Sequence, residues 1–592
     1  MTTRATRGPR RRTVVALAVI LAVLSAFVVR LVDIQVVSAN DHVADSLNVG
    51  QLGSTVTLEG DRGTILDQNG ITLASSVKVY DAQLSPSLIM QLENDTEKPP
   101  KVPWSDASEK IAAITGQDAE ELRSGVAQNL ENDPSSQYYQ LANGLSTEKY
   151  IELRDLDLVY LHADARETRV YPNGAVAGNV VGYVDNAGQG QAGIEQMEGT
   201  CLAPSNGERT YLRGKDGNII PGSERVKEAV NGGSVQLTIN SDLQWYLQQM
   251  ISEEAQRMGA NSGTVTVVEV TTGKIRAAAE WPSLDPNDLN ASSPENWGTK
   301  VFGATFEPGS TFKAITAAAV LDAGGADMNT IVSADDRETF PNGAVVNDPF
   351  RHENYQYRLA GAMIDSSNIA LSKFGTLIDA KTRYDYIQKF GVGEKTIGFP
   401  REEAGVLHPY ENWDSQTLYT TTFGQALTVT APQVAGAYQA IANGGEKIDL
   451  SLIESCTRGD GTVIKPDAPE RKQIISQETA AEVSRILENV TVQGGLSKQL
   501  EVPGYRVASK TGTAEKAGEG GYIEGRYSTS LAGFAPVDDP QYVVLVTLDE
   551  PTKVVSSAAT APAFQKAMTQ VLKTYRVSPS TVPMDEWLPK FN

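Results

Sequence analysis

The chain has 592 residues, 40% of them hydrophobic, with 52 Gly and 28 Pro, which is the composition of a globular protein large enough for more than one core. This composition excludes a wholly disordered, collagenous or disulfide-stapled chain. The 51 basic and 73 acidic residues give a net charge of −22, a field that repels phosphate backbones, so we expect no nucleic-acid partner.

The chain opens with a basic and then apolar segment. Arginines at 4, 7, 10, 11 and 12 precede an uncharged run at 13–29, and the span extends to residue 32 if Arg30 snorkels. This is long enough to cross a bilayer, and the arginines predict a cytoplasmic N-terminus with the rest outside. The alternative is a signal peptide cleaved near Val37-Ser38-Ala39. The apolar core of a signal peptide is typically about 7 to 15 residues long. The run at 13–29 is longer than that, so we favour an uncleaved anchor.

Beyond the anchor, the pattern of polar and apolar residues changes at a break near Asn231-Gly232-Gly233. Before the break, a charged and Pro-rich stretch at 94–103 predicts a linker or loop, and 111–130 has helical patterning. After it, 235–239 alternates like a strand. The apolar residues that follow have helical spacing behind a possible helix cap at Ser241-Asp242.

The remainder alternates between strand and helix patterns. Residues 264–270 and 274–279 flank Thr272-Gly273 and predict a β-hairpin. Three further strand candidates and a closing helix with one apolar face lie at 507–513, 528–534, 542–548 and 564–575. Strands, a helical middle, then strands and a helix predict an antiparallel sheet covered by helices, which is an α+β fold.

A possible catalytic pair lies at the start of a helix-forming run. Ser310-Thr311-Phe312-Lys313 leads into residues that end at Gly324-Gly325, a natural helix stop. Residues i and i+3 share a helix face, so the Ser310 hydroxyl can meet the Lys313 amine, while the Ser310 backbone N–H is free to donate. Such a lysine is useful only when neutral, which a dry pocket or a second cation can arrange.

The S-x-x-K pattern alone is weak, because it occurs at Ser75, Ser146 and Ser310. The third match differs because Ser366-Ser367-Asn368 and then Lys510-Thr511-Gly512, the sole K-T-G of the sequence, follow it in order. One triplet opens a helix and another lies on a predicted strand, an arrangement that is hard to obtain by accident. The trio therefore predicts one catalytic cleft.

Cysteine and histidine give no sign of a metal or redox site. Cys201 and Cys456 are 255 positions apart, and we expect two unrelated thiols, with a bridge as the alternative. The histidines, including His352 and His408, are scattered without zinc-ligand spacing, so we expect no metal. His352 lies in a polar loop, where a solvated side chain is a better expectation than a general base.

The ordered trio resembles the motifs of the penicillin-binding proteins and serine β-lactamases. Other segments are similar to motifs of the class B penicillin-binding proteins: Arg62–Gly70 to R-G-x-I-x-D-R-N-G, Arg169–Gly174 to R-x-Y-P-x-G, and Gly193–Glu195 to G-I-E. Gln68 stands where arginine is usual, which puts one salt bridge in doubt. The resemblance covers residues 50–575. It is strongest to the septal, cell-division branch, with the elongation branch as the alternative.

This resemblance implies an α+β protein with a single N-terminal transmembrane helix, an elongated mixed α/β pedestal and a transpeptidase domain similar to serine β-lactamases. We expect a cytoplasmic tail, an anchor, a dimerisation-like pedestal, the transpeptidase domain and a C-terminal tail at 1–12, 13–32, 33–232, 233–577 and 578–592. The pedestal leaves no room for a glycosyltransferase domain. A monofunctional, single-pass protein of the cell membrane follows, with its catalytic domain extracytoplasmic.

The resemblance also implies a substrate and roles for the trio. The substrate would be a peptidoglycan stem peptide ending in D-Ala-D-Ala, attacked by Ser310 to give an acyl-enzyme. Lys313 would be the general base, and Ser366 would relay the proton to the leaving amine. The substrate would be bound by Asn368, Lys510, Thr511, Gly512 and Thr513, and the oxyanion by the backbone N–H groups of Ser310 and Thr513.

The implied reaction ends with transfer of the acyl group to the side-chain amine of a neighbouring stem peptide. The implied partners are β-lactam antibiotics, a SEDS-family glycosyltransferase and other division proteins, and no cofactor is implied. Two alternatives stay open. One is a β-lactam sensor or division scaffold whose acylation is incidental. The other is a D,D-carboxypeptidase or β-lactamase that passes the acyl group to water.

Overall fold

A computed structural model describes residues 8–38, 53–98, 100–213, 219–518, 521–584 and 586–592. The chain divides into two units. One comprises Met1–Asp61 with Pro204–Asn231, and the other comprises Arg62–Ala203 with Gly232–Asn592.

The strands, numbered in chain order, are β1 (Gly53–Leu58), β2 (Ile65–Leu66), β3 (Thr72–Leu84), β4 (Tyr139–Leu145), β5 (Leu161–Val170), β6 (Gly207–Leu212), β7 (Arg225–Lys227), β8 (Ser234–Leu237), β9 (Ser262–Glu269), β10 (Ile275–Trp281), β11 (Ile331–Ala334), β12 (Arg337–Thr339), β13 (Val345–Asn347), β14 (Tyr355–Arg358), β15 (Glu446–Ile448), β16 (Ile453–Thr457), β17 (Val463–Ile464), β18 (Arg471–Gln473), β19 (Ala508–Gly518), β20 (Gly521–Ala535) and β21 (Tyr542–Asp549).

The helices are α1 (Gly8–Val32), α2 (Pro86–Glu93), α3 (Trp104–Thr115), α4 (Ala119–Asn132), α5 (Thr147–Arg154), α6 (Gly178–Val181), α7 (Gly193–Met197), α8 (Gly199–Leu202), α9 (Ser241–Met258), α10 (Lys300–Gly303), α11 (Lys313–Asp322), α12 (Leu359–Ile364), α13 (Asn368–Gly375), α14 (Ala380–Lys389), α15 (Thr417–Thr420), α16 (Ala431–Ala442), α17 (Gln477–Gln493), α18 (Ser497–Leu500) and α19 (Ala561–Thr574).

The first unit contains α1 and an antiparallel sheet in the order β1–β6–β7. The helical stretch Thr13–Val37 is long and apolar enough to cross a membrane. Its apolar side chains are exposed rather than packed inside the protein, as expected for a helix whose apolar neighbours are lipid.

The second unit is organised by an antiparallel sheet in the order β10–β9–β21–β20–β19. Side chains of β21 alternate between two cores because successive residues of a strand point to opposite faces. Val543 and Leu545 pack in the core that contains α16, whereas Val544 and Val546 pack in the core that contains α9 and α19. The prediction of an antiparallel sheet flanked by helices is therefore confirmed.

The sheet and its covering helices lie close to the predicted segments. The 235–239 strand is β8, the predicted hairpin is β9 and β10, and the three later strands and closing helix are β19, β20, β21 and α19. One detail was wrong. Asn240 caps α9, because its side chain accepts the Leu243 N–H at 2.9 Å. The 111–130 pattern covers two helices, α3 and α4, separated by left-handed Gly116.

Three motifs outside the trio meet in a buried ion-pair cluster. Glu195 is fully buried and accepts the Nε–H of Arg62 and the Nε–H of Arg169, each at 2.7 Å. The same two arginines donate to the carbonyl oxygens of Glu195 and Gly63. Because a buried charge must be paired, this cluster fixes three distant segments together.

Gln68 has a polar partner even though it cannot form the usual salt bridge. Its Oε1 accepts a hydrogen bond from Arg276 Nη1 at 2.8 Å, and Arg276 also pairs with Glu269 at 2.7 Å. The guanidinium beside Gln68 is therefore that of Arg276, on β10.

The expectation of two separate thiols was wrong, because Cys201 and Cys456 form a disulfide bond. The Gly233 N–H donates to the Cys201 carbonyl at 2.7 Å, so the chain returns beside α8 where β8 begins. Strand β8 then pairs with β16, with Val235 opposite Cys456. A separation of 255 residues in sequence is thus closed by strand pairing.

We predict that the disulfide contributes measurably to the stability of the full chain in detergent. Reductant should lower the melting temperature of the wild type, and the Cys201→Ser/Cys456→Ser double variant should lose about 2–4 kcal/mol of unfolding free energy, because the unfolded chain is no longer cross-linked. The melting temperature of the double variant should not respond to reductant. Two thiols that react with a maleimide without prior reduction would contradict the pairing.

Candidate active site

The turn that carries Ser310 is held against strand β19 by close backbone contacts. Residues Gly309–Phe312 form a 3₁₀ turn that continues into α11. Gly309 has φ +54°, and its N–H donates to the Gly424 carbonyl at 3.0 Å. A Cβ atom on Gly512 would lie 2.7 Å from the Pro308 carbonyl oxygen, so only glycine permits this approach. The contact brings Ser310 beside the K-T-G strand.

The Lys313 amine is completely buried and points to the S-x-N segment. Its Nζ donates to the Ser366 carbonyl at 2.6 Å and to Asn368 Oδ1 at 2.8 Å, and it lies 3.2 Å from Ser366 Oγ, whose hydroxyl can donate to a neutral amine. The expected hydrogen bond between Ser310 and Lys313 is not formed. Within the described part of the chain, the Ser310 hydroxyl has no hydrogen-bond partner, which leaves it open to a ligand.

The Lys510 amine is also buried and approaches the same serine from β19. Its Nζ donates to Ser366 Oγ at 3.0 Å and to the Thr511 carbonyl at 3.2 Å. The Ser366 hydroxyl oxygen therefore lies within hydrogen-bond distance of both lysine amines. Among the described residues, neither amine has a carboxylate within salt-bridge distance, so the two positive charges are not neutralised by direct pairing.

Burial lowers the pKa values of both lysines, and the charge of Lys510 lowers that of Lys313 further. Burial, together with the positive charge of Lys510, lowers the pKa of Lys313 far below its usual range, against a smaller opposing effect of the Asp348 carboxylate. Burial lowers the pKa of Lys510 to about 7. A buried amine gives up its proton more readily when no anion compensates its charge, which favours the neutral form of Lys313, the form that can accept a proton.

Ser366 reaches the lysines through an unusual backbone conformation. Its φ is +58°, in the left-handed region that non-glycine residues rarely adopt. The conformation directs both its carbonyl and its hydroxyl oxygen toward Lys313. Helix α13 begins two residues later and is capped by Ser367, whose hydroxyl accepts the Ala370 N–H at 2.9 Å. Strain of this kind persists where surrounding contacts enforce it.

Asn368 is engaged within the protein at both ends of its amide. Oδ1 accepts from Lys313, and Nδ2 donates to the Asn347 carbonyl at 3.0 Å. Its position therefore holds the lysine amine, and one Nδ2 hydrogen is left for a substrate. Thr513 Oγ1 accepts the Ser557 N–H at 2.9 Å, which leaves its hydroxyl proton to donate.

Strand β19 lies at the edge of the five-stranded sheet. An edge strand presents unpaired N–H and carbonyl groups, which an extended peptide can use to add as a further strand. The strand carries Lys510, Thr511 and Thr513, so such a peptide would lie beside them and beside the Ser310 turn. The structure thus brings together the residues that the ordered trio singled out.

Two further groups lie at the cleft, of which Glu307 was not predicted from the sequence. Glu307 lies three residues before Ser310, and its Oε2 accepts a hydrogen bond from the Tyr522 hydroxyl on β20 at 3.1 Å. Burial, together with the charge of Glu515, raises the pKa of Glu307 to about 7.

The expectation of a solvated His352 was wrong, because its ring is buried and contacts Asp348. The Asp-x-x-x-His spacing of this pair was the available signal. The described residues hold no group of three or more His, Cys, Asp or Glu side chains that could bind a metal.

The comparisons with known proteins agree with this geometry. Residues 263–569 match the penicillin binding protein transpeptidase domain, and residues 57–237 match the penicillin-binding protein dimerisation domain. The chain is 30% identical over 589 residues to penicillin-binding protein PbpB of Mycolicibacterium smegmatis, covering 95% of this chain and 90% of that protein. It is 27% identical to the peptidoglycan D,D-transpeptidase FtsI of Escherichia coli, over 95% of this chain and 92% of that protein.

A solved structure, the peptidoglycan synthetase of Bifidobacterium adolescentis, superposes with a TM-score of 0.72 at 30% identity, covering 91% of this chain and all of that one. The fold and the site define a serine-based acyl-transfer enzyme. The chain belongs to the penicillin-binding protein transpeptidases, of the monofunctional class B type, and its activity is that of a peptidoglycan D,D-transpeptidase.

We predict that acylation by a penicillin weakens at alkaline pH because Lys510 loses its charge. The charged amine attracts the carboxylate of the antibiotic, so above pH 8 the second-order rate constant should fall by about tenfold per pH unit. The matched control is Lys510→Arg, whose guanidinium stays charged and should remove this decline whatever its absolute rate. An unchanged alkaline decline in the arginine variant would assign the titration to another group.

Proposed function

We propose that this transpeptidase crosslinks stem peptides through an acyl-enzyme on Ser310. The observation that carries the proposal is the convergence of two buried amines on one serine oxygen, near a Ser310 hydroxyl that has no hydrogen-bond partner among the described residues. A neutral Lys313 can remove the Ser310 proton while Lys510 stays available for a carboxylate. No other S-x-x-K match in the described residues has such surroundings: Ser146 caps α5, and Ser75 lies in β3.

The reaction proceeds in two balanced steps. Ser310 Oγ attacks the penultimate D-Ala carbonyl as its proton passes to Lys313, and the peptide C–N bond breaks when the leaving amine receives a proton through Ser366. D-Ala leaves and the ester on Ser310 remains. The acceptor amine then attacks the ester and gives up a proton to the same base. The ester C–O bond breaks, Ser310 Oγ takes that proton, and the new amide crosslink is released.

The remaining roles concern binding and charge. Lys510, Thr511 and Thr513 bind the terminal carboxylate of the donor, and Gly512 keeps the strand close to the Ser310 turn. The backbone N–H groups of Ser310 and Thr513 stabilise the oxyanion of each tetrahedral intermediate. Asn368 holds Lys313 and offers its remaining amide hydrogen to the donor backbone.

The anchor and the segment before Gly233 favour a wall-building enzyme over the two alternatives. A freely diffusing β-lactamase has no need of either, and the open β19 edge suits an extended peptide. We assign 33–232 to the pedestal and 233–577 to the transpeptidase domain, which fits the two family matches. The basic N-terminus favours a cytoplasmic tail at 1–12.

We predict that a labelled penicillin forms one covalent adduct with the full chain, on Ser310. The Ser310→Ala variant should gain no mass, since it lacks the nucleophile, whereas Ser75→Ala, altered at another S-x-x-K match, should be acylated like the wild type. Mass spectrometry of the intact protein and its peptides reads both. An adduct of normal yield in Ser310→Ala would refute the assignment.

The same proteins distinguish crosslinking from hydrolysis. With a labelled stem-peptide donor, an added amine acceptor should take most of the label, because an enzyme built for crosslinking favours the amine over water. Release of free acid at the same rate with and without the acceptor would instead support the carboxypeptidase or β-lactamase alternative.

We place the enzyme in the septal branch, working with a SEDS-family glycosyltransferase and other division proteins. We predict that a fluorescently tagged full chain forms a band at midcell, and that the Ser310→Ala variant still localises there but does not support septation. Fluorescence along the lateral wall would assign it to elongation. Normal septation with Ser310→Ala would favour a scaffold.

A further inference from the structure

A buried carboxylate outside the trio holds the start of helix α13. Asp348 follows β13 and is inaccessible to solvent. Its Oδ1 accepts the backbone N–H groups of Asn368 at 2.6 Å and Ile369 at 2.9 Å. Two hydrogen bonds to one carboxylate oxygen satisfy donors that a helix cannot satisfy itself, and the negative charge suits a helix N-terminus.

The second oxygen of this carboxylate contacts a buried histidine. His352 Nε2 lies 3.0 Å from Asp348 Oδ2, and its Nδ1 lies 2.7 Å from the Glu353 carbonyl oxygen. A carboxylate and a carbonyl oxygen only accept hydrogen bonds, so both ring nitrogens must donate. Only the imidazolium form has two N–H groups, and the geometry therefore requires a charged His352.

The other groups around His352 agree with a positive charge. The Tyr355 ring stacks on it at 4.9 Å, and the Tyr357 ring meets it edge-on at 6.1 Å. Asp336 adds a second negative charge nearby and pairs with the exposed Arg351. Burial lowers the pKa of His352, but its hydrogen bonds and the charge of Asp348 outweigh this effect and raise the pKa above the usual value.

The more distant charged groups, Asp365 and Lys590, form an ion pair with each other. Behind Tyr357, Asp365 pairs with Lys590 at 2.5 Å, so these two charges compensate each other. Phe591 packs on the Tyr355 and Tyr357 rings at 4.7 and 5.1 Å, which covers the aromatic side of the cluster.

Two routes connect this pair to the Lys313 amine. In the first, Asn347 and Asp348 fix Asn368 through its side chain and backbone, and Asn368 Oδ1 accepts from Lys313 at 2.8 Å. The second is electrostatic, since the Asp348 carboxylate favours the protonated form of Lys313. A charged His352 offsets that carboxylate and so helps Lys313 stay neutral.

We propose that Asp348 and His352 are positioning residues for Lys313, and that protonated His352 holds the site in its reactive arrangement. When His352 loses its proton, one of its two hydrogen bonds is lost and the Asp348 charge is no longer offset. Both effects lower the reactivity of Ser310. The inference depends on the proposed role of Lys313 as the base.

The test compares acylation by a labelled penicillin from pH 6 to pH 9 in the full chain, in detergent. His352→Gln has the neutral side chain at every pH, and His408→Gln, at an exposed histidine of the same unit, is the matched control. The wild-type rate should exceed that of His352→Gln by about tenfold at pH 6, as loss of a charge-assisted hydrogen bond implies, and by less than about twofold at pH 9. The His408→Gln ratio should stay near one.

Because each comparison is a ratio, any titration of Lys510 affects numerator and denominator alike. A His352→Gln ratio that is constant with pH would overturn the inference, because a purely structural role lowers the rate by one factor throughout. If the wild type is acylated while the ratio is flat, only this inference fails. If the wild type is not acylated at any pH, the proposed function fails and this inference with it.

A second measurement needs neither acylation nor a stable variant. The histidine ring signals of the isotope-labelled full chain can be followed by NMR as pH changes, and the absence of one signal in His352→Gln or Asp348→Asn assigns it. His352 should titrate above the usual value of histidine and keep both ring protons at neutral pH. Titration of every histidine signal at or below that value would overturn the inference.

Discussion

The site depends on two buried lysine amines that share one serine oxygen. Lys313 and Lys510 both lie within hydrogen-bond distance of Ser366 Oγ, and among the described residues neither has a carboxylate at salt-bridge distance. Two positive charges this close and this dry cannot both persist, because desolvation and repulsion each favour loss of a proton. The arrangement is therefore consistent with the proposed division of roles, in which one lysine acts as the base and the other as the cation. The charge of Lys510 lowers the pKa of Lys313 further, and Lys510 lies on the edge strand.

The rest of the fold maintains this convergence from three distant segments. The Ser310 turn is pressed against β19 at Gly512, where any side chain would collide with the Pro308 carbonyl. Ser366 is held in a left-handed conformation between α12 and α13, and β19 is positioned by pairing with β20 along its length. Because each segment is anchored by backbone contacts, the side chains meet without needing flexible adjustment. A catalytic group held in this way reacts without first paying for its own reorganisation.

The sequence was sufficient for the sheet, its covering helices and the identity of the trio, because strand alternation, helical spacing and ordered motifs are local signals. It was insufficient where contacts depend on tertiary placement. The Ser310–Lys313 contact inferred from helix geometry is absent because the serine lies in a 3₁₀ turn, and the lysine turns to Ser366. Cys201 and Cys456 were expected to be two separate thiols, because the strand pairing between β8 and β16 has no sequence signature.

The motifs outside the trio have a structural rather than a chemical reason to occur together. Arg62, Arg169 and Glu195 come from separate segments, yet each supplies part of one buried cluster in which removal of any partner leaves an unpaired charge. Gln68 is also held in place, as a hydrogen-bond acceptor for Arg276 on β10. Asp348 and His352 follow the same principle nearer the site, since a buried acid is stable only when its partners are complete. Buried polar groups thus specify where segments join, and the chemistry of Lys313 depends on one such junction.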